Sequence, residues 1–253
     1  MLIEQSAYAN RWRRVAPTAK GLFTLAGFVA AFAARLPSAA LVVAVLLAVV
    51  TVAGARVSVG RYLRVAAPAL FFLAISCLSL AFSVSSNPAA PSFGTFDLTP
   101  GGLQPIAVVG ARSLGALAAL LFLVLTTPLI DLIALLRRLK TPEILLEIMV
   151  LCYRMLFVFS EAVHDTLTAQ SARLGYSTNR LALRSLGGLA ANLTLQVWQR
   201  ASDLHVAAQA RNSDGPLRFL EPVFADSRRD VAIAGAAGGA LVALAVALGQ
   251  GWL

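Results

Sequence analysis

The sequence predicts an all-α polytopic membrane protein, with about five transmembrane helices and a set of long amphipathic helices on the cytoplasmic side. Of its 253 residues, 58% are hydrophobic and only 13% are charged. A soluble domain carries about 25% charged residues. The mean hydropathy is +0.78. The charges are also unevenly placed. Residues 128 to 229 hold 12 of the 21 Lys and Arg and nine of the 12 Asp and Glu, so apolar spans lie before and after one polar region. The net charge of +9 is read as cytoplasmic loops that set orientation, not as a surface for nucleic acid.

Residues 1 to 20 form a basic opening segment, with Arg11, Arg13, Arg14 and Lys20 against Glu4. It is expected at the membrane surface. Residues 21 to 36 and 38 to 55 are two apolar runs separated by Pro37. At 1.5 Å per residue each just crosses a ~30 Å hydrocarbon core. A basic start before Gly21 to Ala34 also resembles a signal peptide. The second apolar run follows after only Arg35, Leu36 and Pro37, which fits a helical hairpin better. Arg56, Arg61 and Arg64 make a second basic loop. Residues 65 to 84 form a third span, with Pro68 in its first turn, where a missing amide is tolerated. Residues 85 to 102 are rich in Ser, Pro, Gly and Thr and contain Asp97 but no Lys or Arg. The positive-inside rule places this loop outside and the N-terminus in the cytoplasm. Residues 103 to 127 return to the cytoplasmic side, and Arg112 near their outer end is expected to snorkel or to pair within the bundle.

The polar region contains two long helices. In the first, Glu143, Glu147, Arg154, Glu161 and Asp165 fall within about 40° of one another at ~100° per residue. The rest of that helix is nearly all apolar. A charged stripe on an oily helix suits the membrane interface or a position packed beneath other helices; a fifth span with its stripe facing the bundle is the alternative. The second helix runs from Thr178 to Arg211, with Leu186, Leu189, Leu193 and Val197 at helical spacing. Gly187 and Gly188 would bend it or admit a close crossing. A last span covers 231 to 248, where Gly235 and Gly239 suggest a small-residue contact face. Arg228 and Arg229 precede it, so the C-terminus is expected outside. The chain thus divides into a membrane domain of four spans (1–127), a cytoplasmic or interfacial helical domain (128–229) and a C-terminal transmembrane helix (230–253).

Both long helices end alike. One closes with Ala172-Arg173-Leu174-Gly175, the other with Ala210-Arg211-Asn212-Ser213-Asp214-Gly215, and the two arginines are 38 residues apart (211 − 173). Gly ends a helix cheaply in the left-handed conformation, and Asn is the usual second choice. An Arg there faces the negative end of the helix dipole and can also enter a partner's cleft. The candidate docking residues are Ala172, Arg173, Gly175, Ala210, Arg211, Asn212 and Gly215.

No catalytic, cofactor-binding or metal-binding residue is assigned. Cys77, Cys152, His164 and His205 are isolated in sequence, which leaves little to hold a soft metal. Neither Lys20 nor Lys140 follows a Gly-rich phosphate loop. Glu143 and Glu147 are the only carboxylate pair suited to a membrane enzyme, and they lack a partner base. A stand-alone secondary transporter would be expected to show inverted repeats or an intramembrane relay of Asp, Glu or His. A helical membrane body with Arg-tipped helix ends suits a subunit that receives force from a soluble partner.

At this point the chain resembles the transmembrane coupling (T, or EcfT) component of energy-coupling-factor ABC importers, and among these the CbiQ type of the cobalt system. The opening Ala7-Tyr8-Ala9-Asn10-Arg11 through Pro17 and Lys20 carries the likeness, as do Thr126-Thr127-Pro128 with Asp131-Leu132, then Pro142, Tyr153-Arg154 and Glu161. Ala172-Arg173-Leu174-Gly175-Tyr176 and Ala210 to Gly215 occupy the two Ala-Arg-Gly signature sites. The first has Leu174 inserted before Gly175, and the second has Asn212 where Gly is usual. The resemblance implies a non-catalytic subunit of the bacterial inner membrane. Two CbiO-like ATPase subunits would each take one Arg tip. A CbiM-like substrate-binding membrane subunit, with a small CbiN-like one, would be reoriented by the coupling helices. It implies cobalt as substrate, with nickel or a vitamin as the alternative.

Overall fold

The computed structural model describes residues 6–8, 10–34, 36–84, 100–212 and 227–249. Among these the chain is helical, with no strand. The helices are α1 (Pro17–Ala33), α2 (Pro37–Val49, prolonged by a π-helical turn Val50–Gly54), α3 (Val59–Val84), α4 (Pro100–Thr126), α5 (Leu129–Arg138), α6 (Glu143–Ala172), α7 (Asn179–Ala210) and α8 (Ser227–Gly249). A 3-10 turn, Arg11–Arg14, precedes α1. The helices fall into two compact units, Met1–Leu135 with Pro222–Leu253 and Leu136–Glu221.

The first unit contains the five expected apolar helices. Pro17 and Pro37 open α1 and α2, where a fixed φ is preorganised and no amide is lost. Among the described residues, four stretches are long and apolar enough to cross a membrane: Pro37–Gly54, Val59–Leu80, Ile106–Thr126 and Arg228–Gly249. Helix α1, with 17 residues, reaches only about 25 Å. While α3 packs on α4, helix α1 packs against α2, α4 and α8. Its Phe23, Ala30 and Ala31 meet Val43 and Leu47 of α2, Ala119 and Phe122 of α4, and Leu241 and Ala245 of α8. The Phe122 ring stands edge-on to Phe23 at 5.0 Å and to Trp12 at 5.8 Å. So many alanines let the backbones approach closely, which is how helices gain packing energy where lipid removes the hydrophobic drive. On α8, a Cβ at Gly238 would lie 2.6 Å from the Ala26 Cβ of α1, Gly235 faces Leu22, and Gly239 faces open space. The contact face is therefore Gly235 and Gly238, in place of the expected Gly235 and Gly239. The helices cross so that residues three apart, not four, meet α1.

Three further expectations change. Helix α3 begins at Val59, because Ser58 O accepts the N–H groups of Arg61 and Tyr62 at 3.0 Å. Arg61 and Arg64 thus belong to a helix, not a loop, and Pro68 lies inside it, leaving the Arg64 carbonyl without its helical donor. Lys20 is buried within α1 instead of lying at a surface. Helix α4 opens at Pro100, so residues 100 to 102 of the expected loop are helical, and residues 85–99 lie outside the described residues. Arg112 pairs within the bundle as expected: its Nε and Nη2 donate to Ala34 O at 3.3 and 3.1 Å.

The second unit is built on α6 and α7. Helix α6 buries only Leu146, and α7 buries no side chain. Thr178 caps α7, its Oγ1 accepting the Leu181 N–H at 3.4 Å. Of the charged stripe on α6, Glu143, Arg154, Glu161 and Asp165 are exposed and Glu147 is half-buried. Helix α6 is not among the four stretches long and apolar enough to cross a membrane. Helix α5, which the sequence did not mark as a separate element, runs across the boundary between the units at residues 135 and 136.

Candidate docking site

Arg173 is the C-cap of α6, with φ −92° and ψ 15°. Leu174 follows in the left-handed region at φ 57°. Its N–H donates to Ser171 O at 3.0 Å, and the Gly175 N–H donates to Gln170 O at 2.9 Å. That pair of bonds is a Schellman closure. The left-handed position therefore falls on Leu174, not on Gly175 as the sequence suggested. Gly175 is required for a different reason. A Cβ there would lie 2.6 Å from Ser185 Oγ and 2.9 Å from Gln170 O. The close approach ties the end of α6 to the start of α7. Ser185 Oγ donates to Gly175 O at 2.9 Å, Gln170 Nε2 to Ser185 O at 3.0 Å, and Tyr176 OH to Gln170 Oε1 at 2.7 Å. The roles of Gln170 and Ser185 were missed in the sequence; their signal is only that each can satisfy backbone groups a turn has exposed.

The second tip repeats the first. Arg211 caps α7 with φ −96° and ψ 9°. Asn212 is left-handed at φ 51°, as expected of an Asn in that place. Its N–H donates to Gln209 O at 2.9 Å. Leu174 and Asn212 are thus equivalent positions, each directly after a capping Arg. Ala172, Arg173, Ala210, Arg211 and Asn212 are all exposed, and neither Arg forms an ion pair with a described residue. Gly215 lies outside the described residues. What the tips offer is an exposed guanidinium on a capped helix end, of the kind that pairs with carboxylates.

A second constellation lies in the first unit. Asn10 Nδ2 donates to Ala7 O at 2.8 Å and Thr126 O at 3.0 Å, and Lys20 Nζ donates to the same Thr126 O at 2.9 Å. Arg13 pairs with the buried Asp131 at 3.1 Å and stacks over Tyr8, 4.4 Å from the ring centre. Asp230 Oδ2 accepts the Ala16 N–H at 3.1 Å. Two cations and two carboxylates balance here. Burial pushes the Asp131 carboxyl above its ordinary value, while Arg13 and Lys20 pull it back down. Asn10, Lys20, Thr126 and Asp131 are among the residues that carried the resemblance, and the fold brings them together as one polar knot around the last carbonyls of α4.

Residues 9–219 match the CbiQ cobalt transport protein family. The chain belongs to that family. The matched region contains the knot's Asn10, Arg13, Lys20 and Asp131 and both Arg tips. The chain is 34% identical to the cobalt transport protein CbiQ of Rhodobacter capsulatus, over 86% of each chain. It is also 34% identical to an uncharacterized protein of Methanocaldococcus jannaschii, where the match covers 48% of this chain and 46% of the relative, just under half of that protein's length. A protein of Methanocorpusculum labreanum named as a fused cobalt transport protein, CbiMQ, is 27% identical over 87% of this chain and 38% of its own length.

Proposed function

We propose that this family member is the energy-coupling membrane subunit of an ATP-driven importer of the energy-coupling-factor type, with cobalt as the transported ion. One observation carries the proposal: two helices end in exposed, capping arginines built on the same left-handed closure. Two helix ends capped in the same way by an Arg suit two copies of one kind of partner, here a pair of CbiO-like ATPase subunits. Residues 1–127 and 230–253 form the membrane body, and 128–229 the coupling region. The N-terminus is cytoplasmic, in a bacterial inner membrane. ATP-driven closure of the ATPases pulls on Arg173 and Arg211, and α6 and α7 carry that motion to a CbiM-like substrate-binding subunit accompanied by a small CbiN-like one. The relative whose name joins CbiM and CbiQ in one chain supports such a membrane partner. The subunit itself neither hydrolyses ATP nor selects the ion.

The test is co-purification of ATPase with the chain in mild detergent, alongside cobalt uptake, at matched membrane abundance. Arg173→Glu and Arg211→Glu place like charges against the proposed carboxylates, which can cost several kcal/mol; each should reduce ATPase recruitment at least about tenfold at its own tip. The double variant should abolish it. Arg56→Glu, also at a left-handed residue (φ 55°) but away from the tips in sequence, should do little. Wild-type recruitment and uptake in the double variant would remove the proposed role.

A further inference from the structure

We infer that Leu174 is an apolar anchor of the first tip. It inserts against a hydrophobic wall beside the acidic surface that receives Arg173, so that the two tips hold their soluble subunits unequally. This rests on the reading of the tips as ATPase docking sites.

A lone exposed leucine on a helix face calls for no explanation. Leu174 is different in two independent respects. Its side chain is 72% exposed, so packing within this chain does not require it. Its backbone is left-handed at φ 57°, which bulky side chains resist. Gly and Asn are the usual residues at such a position; the second tip has Asn212 there, and the end of α5 has Lys140, an exposed residue whose charge stays in water. The neighbouring glycine cannot take over the left-handed place, because Gly175 is fixed by its contacts with Ser185 and Gln170. Leu174 is therefore both strained and solvent-exposed, directly after Arg173 in the chain. Strain held at such a place points to a contact made outside the chain. An apolar side chain beside Arg fits the usual anatomy of a tight protein contact, a buried apolar anchor next to a charge-assisted bond. The second tip presents Arg211 with a polar neighbour and has no such anchor.

The experiment uses the full chain co-expressed with its ATPase and membrane subunits. The variants are Leu174→Gly and Leu174→Asn, which fit the left-handed backbone and remove the apolar group, with Asn212→Gly and Arg173→Glu as references. ATPase retention is followed during washing in detergent, and thermal unfolding of the chain is measured in parallel. Both Leu174 variants should release ATPase about tenfold faster than wild type, with thermal stability unchanged or higher. Asn212→Gly should retain ATPase as wild type does. Wild-type retention in the Leu174 variants, with release in Arg173→Glu, would overturn the anchor and leave the docking reading standing. Retention in Arg173→Glu as well would overturn the docking reading itself. Loss of thermal stability in Leu174→Gly would make the residue structural and overturn the anchor.

Discussion

Gly175→Ala tests whether the turn after the first tip is held by close backbone approach. The new Cβ would meet Ser185 Oγ at 2.6 Å and Gln170 O at 2.9 Å. The two overlaps differ in kind. Ser185 Oγ can rotate away, at the loss of its 2.9 Å bond to Gly175 O, a net loss of about 1 kcal/mol. Gln170 O is backbone, held by the Gly175 N–H at 2.9 Å, so relieving it means opening the Schellman closure. Overpacking of this sort adds about 1–3 kcal/mol. The expected total is about 2–4 kcal/mol, concentrated in a pair of helices that bury one side chain between them. Ser185→Ala alone should cost about 1 kcal/mol. The double variant should cost less than the sum, because both changes remove the same bond, yet more than Ser185→Ala, because the Gln170 overlap remains. Hydrogen exchange at residues 174 to 185 in detergent reads the local effect, and urea or thermal unfolding reads the total. Wild-type protection in Gly175→Ala, or full rescue by Ser185→Ala, would refute the reasoning.

Asp131→Asn should make the chain's stability less dependent on pH. Burial raises the folded-state carboxyl above 3.8, so its contribution is complete at low pH, where both states are protonated, and is lost as pH rises through the folded-state value. The variant's stability relative to wild type should therefore increase as pH rises above about 4; a relative decrease would contradict this. On topology, a chain with Cys77→Ser and Cys152→Ser that carries Ser177→Cys should resist an impermeant thiol reagent in intact cells. The same background with Ser92→Cys should be labelled, and the reverse pattern would invert the proposed orientation.

The apolar helices were legible because membrane spans are set by length and hydropathy alone. The ends of α7 were legible too, since Thr178 and Arg211 are cap residues of types that caps favour. What was not legible depended on partners distant in sequence. Lys20 reads as one more surface cation until Thr126 O, 106 positions away, accepts from it. Pro68 suggests a first turn, and only the bonds to Ser58 O show that the helix starts earlier. Gly175 reads as a left-handed stop, because Gly is the usual residue there; only the Ser185 and Gln170 contacts reveal that close approach is its purpose. The Gly235–Gly238 face was missed for the same reason. A repeat of small residues names a helix face, but the crossing partner decides which pair meets it.

Left-handed residues other than glycine show a common logic in the second unit. Lys140 (φ 61°), Leu174 (φ 57°) and Asn212 (φ 51°) follow α5, α6 and α7 respectively. The first two are closed by the full Schellman pair: the Lys140 N–H donates to Arg137 O at 3.0 Å and the Thr141 N–H to Leu136 O at 3.4 Å, as Leu174 and Gly175 do to Ser171 and Gln170. Thr141 Oγ1 reinforces the α5 end by donating to Leu136 O at 2.8 Å. A helix closed in this way does not fray gradually, because its last carbonyls are satisfied and the residue after the cap has one direction to follow. The cap residue is then fixed relative to the helix axis. On the proposed function this is what force transfer needs. An arginine on a frayed end would absorb a pull as local unwinding, which at mobile termini costs close to nothing. An arginine at a closed end passes the pull to the whole helix.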